Sequence, residues 1–179
     1  MHSRTPSNGP ADQDAEHQFS GGLVAVIATA RRRAARDTDK QIDTAHLLHS
    51  LLECDSEVCR LLDGGSPQTG RLLGYLVQRS IGYGLRWQGT VEDSGALPAV
   101  EEDGVPGWSP AAVTAMEYAL VRSRGRRAAR AEGIDLFAGL VRDGECRAVE
   151  VLRRVGVDVE RLAHRLEDRC EKDDTPVGA

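Results

Sequence analysis

The side chains able to do chemistry are paired histidines, two serines, four cysteines and two arginine clusters. His46 and His49 stand three apart, so on a helix they share a face, a spacing that suits a metal pair. The sequence offers no third ligand, and a histidine at a helix start is accounted for by local hydrogen bonding. No metal and no other cofactor is expected. Ser20 and Ser109 each precede an apolar-periodic segment, where a serine oxygen takes up a free N–H of the first helical turn. Neither has a base nearby in sequence, so the chain is not expected to be an enzyme or to carry catalytic residues. Cys54, Cys59, Cys146 and Cys170 form no C-x-x-C pair and have no zinc-type spacing, and they read as free thiols. Arg31, Arg32 and Arg33, and again Arg124, Arg126, Arg127 and Arg130, crowd the ends of helices, where cations suit the dipole. The alternative reading of these clusters is a basic patch for an acidic partner or for DNA.

The elements that position these residues are helices. Of 179 residues, 40% are apolar, 28% are charged and only 4% are aromatic, so the core is built from Ala, Val, Leu and Ile. That favours closely packed helices over a β-sandwich. The net charge of −5 argues against nucleic acid as the main partner. Lys40 and Lys172 are the only lysines, a usage that suggests a GC-rich genome. No apolar run approaches the roughly 18 residues that span a bilayer. Residues 1–18 lack the apolar core of a secretory signal. A cytoplasmic chain with no membrane partner is expected.

The densest pattern is Ile42-Asp43-Thr44-Ala45-His46-Leu47-Leu48-His49-Ser50-Leu51-Leu52. Asp43 or Thr44 caps a helix that carries four leucines on one face. Before it, a helix over about 20–36 places Val24, Ile27 and Ala28 on one side, flanked by Leu23 and Ala30. After it, Val58, Leu61 and Leu62 make a short helix stopped by Gly64-Gly65 and Pro67, and Leu72, Leu73, Leu76 and Val77 make a fourth. Periodicity vanishes over 82–107, where Gly, Pro and acidic residues dominate; this reads as a linker, anchored by Trp87. A second series opens at Trp108-Ser109-Pro110, with Ser109 as cap and Pro110 in the first turn. Val113, Met116, Ala119 and Leu120 form its first stripe. Leu136 to Val141 and then Val149, Val151 and Leu152 follow. Gly156 and Asp158 mark a helix stop and restart before Val159, Leu162 and Leu166.

Shifting the chain by 89 residues lays the second series on the first. Phe19-Ser20 falls on Trp108-Ser109, Val24 on Val113, Ile27 on Met116 and Ala30 on Ala119. Leu47, Leu48, Leu51 and Leu52 fall on Leu136, Phe137, Leu140 and Val141. An internal repeat of this length predicts an all-α fold of two four-helix repeats related by a pseudo-two-fold, about eight helices in all. The expected division is a disordered tail at 1–18, repeat one at 19–81, a flexible linker at 82–107, repeat two at 108–170 and a tail at 171–179.

Phe19-Ser20, Ile42-Asp43-Thr44-Ala45-His46-Leu47-Leu48 and Leu51-Leu52 resemble the pattern of the Clp N-terminal repeat domain of AAA+ unfoldases, closest to the ClpC type. So do Trp108-Ser109-Pro110, Gly139 to Glu145, and Val151 to Val157. The resemblance covers about residues 19–170. No G-x-x-x-x-G-K-[ST] loop is present, which suggests an N domain standing apart from the ATPase modules. The resemblance implies a module that receives protein partners: a Clp ATPase, its adaptors or its substrates. It also implies a groove near Phe19 and Trp108, able to take small molecules that bind unfoldase N domains. In that family, phosphoarginine sites use the Thr of Phe-Thr and the Glu of Gly-Thr-Glu-His. Ser20 and Ser109 keep the hydroxyls, but Ala45 stands at the first Glu position. The second holds Ile134, or is deleted if Ile134-Asp135 aligns with Ile42-Asp43. Without that carboxylate, weak or no phosphoarginine binding is expected. The candidate binding residues are therefore Phe19, Ser20, Ala45, Trp108 and Ser109. The expected role is an adaptor, regulator or decoy in Clp-dependent proteolysis; the alternative is a regulatory nucleic-acid-binding protein using the arginines.

Overall fold

A computed structural model of the chain describes residues 17–37, Asp39, 41–80, Glu92 and 107–173. Most of the expected tails and of the expected linker, Trp87 included, lie outside the described residues. Eight helices of five residues or more lie among those described. They are α1 (Gly21–Arg36), α2 (Thr44–Cys54), α3 (Ser56–Arg60), α4 (Gly65–Ser80), α5 (Pro110–Gly125), α6 (Gly133–Arg142), α7 (Arg147–Arg154) and α8 (Val159–Asp173). Two strands of two residues, β1 (Gln41–Ile42) and β2 (Gly107–Trp108), pair in parallel.

Local chemistry explains most of these boundaries. The Ser20 hydroxyl accepts from Leu23 N at 3.2 Å and Ser109 from Ala112 N at 3.1 Å, so each serine caps its repeat's first helix. Asp43 accepts from His46 N at 2.9 Å and starts α2. Gly156 takes φ +81 just after α7, and Asp158 accepts from Arg161 N to start α8. The Gly64-Gly65-Pro67 run departs from expectation, because α4 begins inside it. Gly65 adopts φ +54, which glycine tolerates, and Pro67 falls in the first turn, where its missing N–H costs nothing.

In each repeat the first helix packs on the leucine helix: α1 on α2, α5 on α6. The buried faces are Leu23, Val26, Ala30 and Ala34 on α1, and Ala112, Ala115 and Ala119 on α5. The stripes expected from the larger side chains are displaced. Val24 and Ile27 are only half-buried, and Val113 is 38% exposed. On α5 the reason is proximity. A Cβ on Gly139 would run into the Ala115 carbonyl oxygen, so α6 comes close enough that only alanines fit between the two helices. Leu47, Leu48, Leu51, Leu136, Phe137 and Leu140 are fully buried in one core shared by both repeats.

The repeats are tied together crosswise. Ser109 N donates to Ile42 O at 2.9 Å, and Ser20 N donates to Ala131 O at 2.8 Å. Under the 89-residue shift these are the same bond, and the Phe19–Ala131 bridge matches the Ile42–Trp108 pair. Ala131 is thus equivalent to Ile42 and Ile134 to Ala45, with no deletion between them.

Candidate binding site at the repeat junctions

The crosswise bonds create two junctions, each made from both repeats. Ser109 meets the start of α2 at the first, and Ser20 meets the start of α6 at the second. The candidate residues divide between them. Trp108, Ser109 and Ala45 belong to the first junction, Phe19 and Ser20 to the second. Ser109 is fully buried, Ala45 and Phe19 are buried, Ser20 and Trp108 are half-buried. The Arg31 guanidinium lies 5.5 Å from the Trp108 ring centroid.

The first junction holds an ionic cluster around Thr44, which is 1% exposed. The carboxylate of Glu92, itself 4% exposed, is received there. Its Oε1 accepts from Thr44 N at 3.0 Å and Ser109 Oγ at 2.9 Å. Its Oε2 accepts from Thr44 Oγ1 at 2.7 Å and Arg147 N at 2.6 Å. Both backbone donors are helix-start N–H groups, of α2 and α7, where the dipole favours an anion. Beside this group, Arg147 Nη1 donates to Asp43 Oδ2 at 2.6 Å.

His46 completes the cluster. Its Nδ1 lies 2.8 Å from Asp43 Oδ1 and its Nε2 lies 2.9 Å from Asp39 Oδ2. Asp43 N is also 3.1 Å from Nδ1, which alone would suit a neutral ring accepting there. With a carboxylate oxygen at each nitrogen, the imidazolium form wins. Burial alone would lower the His46 pKa, but Asp43 and Asp39 push it up to about 10. Burial alone would raise the Asp43 pKa, but His46 and Arg147 hold it well below the usual carboxylate range. His49 points elsewhere, 3.3 Å from Glu53; burial and the Arg33 charge push its pKa down to about 4. The two histidines therefore do not form a metal pair. Asp37, Asp39 and His46 place one oxygen or nitrogen each within 4.8 Å of one another, but Asp39 already engages His46 there.

The second junction is built from the same positions with different chemistry. Gly133 replaces Thr44, and a Cβ there would run into Asp55 Oδ2. The Asp55 carboxylate, the cap of α3, fills that space while its Oδ1 accepts from Glu57 N and Val58 N. Asp135 replaces His46. It is fully buried and accepts from Glu132 N at 2.9 Å, Arg122 Nη1 at 2.7 Å and Arg126 Nη2 at 2.6 Å. Arg122 also donates to Leu166 O.

Sequence reasoning missed Thr44, Glu92 and Arg147 as a group. Thr44 stood in the leucine-helix motif as a cap. Arg147 sits at a helix start, and Glu92 sits among acidic residues, with no periodicity to single it out. Carboxylates are missing from positions 45 and 134, as expected. They reach both junctions from elsewhere in the chain, however: Glu92 at the first and Asp55 at the second.

Among solved structures, the N-terminal domain of the caseinolytic protease-associated chaperone ClpD from Arabidopsis thaliana matches with a TM-score of 0.62 and 20% identity, over 86% of this chain and 95% of that one. The ClpV N-domain from Vibrio cholerae matches at 0.52 and 14% identity, over 96% of this chain and 95% of that one. The ClpV N-domain in complex with a VipB peptide matches at 0.51 and 15% identity, over 93% and 98%. No protein-family model and no curated protein matches the chain. The shared property is the fold, and it is that of Clp N domains.

Proposed function

We propose that this chain, with its Clp N-domain fold, is a non-enzymatic protein-interaction module. It acts as an adaptor, regulator or decoy for a Clp unfoldase–protease system or for the ligands of that system's N domains. The observation that carries this reading is the fold match, which takes in 86% of this chain and 95% of the ClpD N-terminal domain. The ClpV N-domain, a neighbour by the same measure, has been solved with a VipB peptide bound. The functional unit is the pair of repeats at 19–81 and 108–170. With Ala45 and Ile134 at the two family carboxylate positions, phosphoarginine binds weakly or not at all.

The nucleic-acid alternative gains no support from the arginine clusters. Arg33 pairs with Glu53 at 2.5 Å, Arg126 pairs with Asp135, and Arg31 stacks on Trp108.

The test is degradation of an adaptor-delivered substrate by a reconstituted ClpC-type unfoldase and its protease, with this chain titrated in. A dose-dependent change in rate is expected, together with capture of the unfoldase, its adaptor or an N-domain ligand by the immobilised chain. No change in rate and no capture of any of the three would overturn the reading.

A further inference from the structure

The first junction is built to hold a carboxylate, whichever chain supplies it. Among the described residues, the groups bonded to the Glu92 carboxylate are donors: two helix-start N–H groups and two hydroxyls. The hydroxyl protons have little freedom to point elsewhere. Thr44 Oγ1 accepts from Ala148 N at 3.0 Å, and Ser109 Oγ accepts from Ala112 N at 3.1 Å. Each oxygen thus has a backbone N–H on one lone pair and its own proton aimed at the anion. Arg147 is fixed from its other end by Asp43. The receiving groups are held by bonds that do not involve Glu92, two between α7 and the start of α2 and one at the cap of α5. Two donors converge on each of two oxygens, which matches a planar carboxylate. Asp55 at the second junction differs, because it is also the cap of its own helix and is tied there by two bonds.

We propose that the Thr44–Ser109–Arg147 junction is a carboxylate receptor with Glu92 as its intramolecular occupant, and that an acidic side chain of a protein partner binds by exchanging with it. The inference rests on the interaction-module reading for its partner, but its receptor is tested without any Clp component.

The experiment uses the full chain, wild type and Glu92→Ala, with acetate, inorganic phosphate and a short peptide carrying one Glu or its Gln counterpart. In Glu92→Ala, acetate is expected to shift the backbone amide resonances of Thr44 and Arg147 saturably and to raise the melting temperature above that in equal chloride. The Glu peptide should give the same shifts in both proteins, about tenfold more weakly in wild type, where Glu92 competes. The Gln peptide should give none. If Glu92→Ala does not fold in chloride, acetate should restore its folding, and Glu92→Gln should serve for the resonance measurements. A folded variant whose Thr44 and Arg147 amides ignore acetate would overturn the receptor, as would an unfolded one that acetate does not rescue. Phosphate binding more tightly than acetate would overturn the assignment to a carboxylate. A wild type that never responds to the Glu peptide would reduce Glu92 to a latch and overturn the exchange. A failed capture of Clp components alongside a working acetate response would count against the functional reading alone.

Discussion

The two junctions have the same backbone and opposite charge logic. At the fourth position of each repeat's leucine segment, counting from Asp43 or Glu132, the first repeat puts a cationic ring between two carboxylates. The second puts a fully buried carboxylate between two guanidiniums. His46 and Asp135 are equivalent under the repeat, yet each draws its counter-charges from different places. His46 takes them from its own cap and the preceding loop, Asp135 from the first helix of its repeat and from that helix's C-cap, Arg126. A duplicated fold therefore fixes where the charge stands and leaves its sign to be settled by neighbours. Thr44 and Gly133 carry the same lesson for shape: a hydroxyl that receives a carboxylate at one junction, and a bare backbone that makes room for one at the other.

Three measurements would break or sharpen that comparison. The largest effect is expected from Asp135→Asn, which leaves Arg122, only 8% exposed, without its charge partner. Loss of one member of a buried pair costs about 3–5 kcal/mol, read by urea unfolding. A cost below that of an exposed ion pair would show that the arginines find other partners and that the second junction is not held by charge. Gly139→Ala should come next, at about 1–3 kcal/mol, because its methyl meets the Ala115 backbone rather than a side chain that can turn aside. At the equivalent position in repeat one, Ser50→Ala removes only a hydroxyl bonded to His46 O, and should cost about 1 kcal/mol or less. Equal midpoints for the two variants would contradict the closer helix approach in repeat two.

The third measurement is a pH dependence that arises from the two histidines of α2. His46 has a raised pKa, so its stabilisation is full below the ordinary histidine value of 6.5 and is lost as pH rises through about 10. His49 is held neutral. Its contribution is full above 6.5 and is lost as pH falls towards about 4. Melting temperature should therefore decline on both sides of a maximum near pH 6.5. His46→Gln should flatten only the alkaline side, and an alkaline decline that survives this substitution would sink the imidazolium assignment.

The fold was legible in the sequence because its determinants are periodic. Serine caps, leucine stripes and an 89-residue shift all point to one architecture, and the helix boundaries follow to within a few residues. The buried face of α5 was less legible, because alanine carries little hydropathic weight and larger neighbours drew the stripe away. The junction chemistry was the least legible. Ser109 and Ala45 could be marked by pattern, but the pairing of Ser109 with residues 42–44 crosses between repeats. Glu92 acquires its meaning only from four donors brought together by three helices.

The crosswise bonds have a kinetic consequence. The Ile42 carbonyl has its partner on Ser109 and the Ser20 amide has its partner on Ala131, so neither repeat contains the groups that complete its own edge. A ribosome emits the first leucine helix well before the amide that locks it. Repeat one must then wait, partly open, until the start of repeat two emerges. Long-range closures of this kind slow folding relative to a bundle of local hairpins. They also make the two repeats a single cooperative unit, in which amide exchange at Ser20 and at Ser109 should report the same opening event.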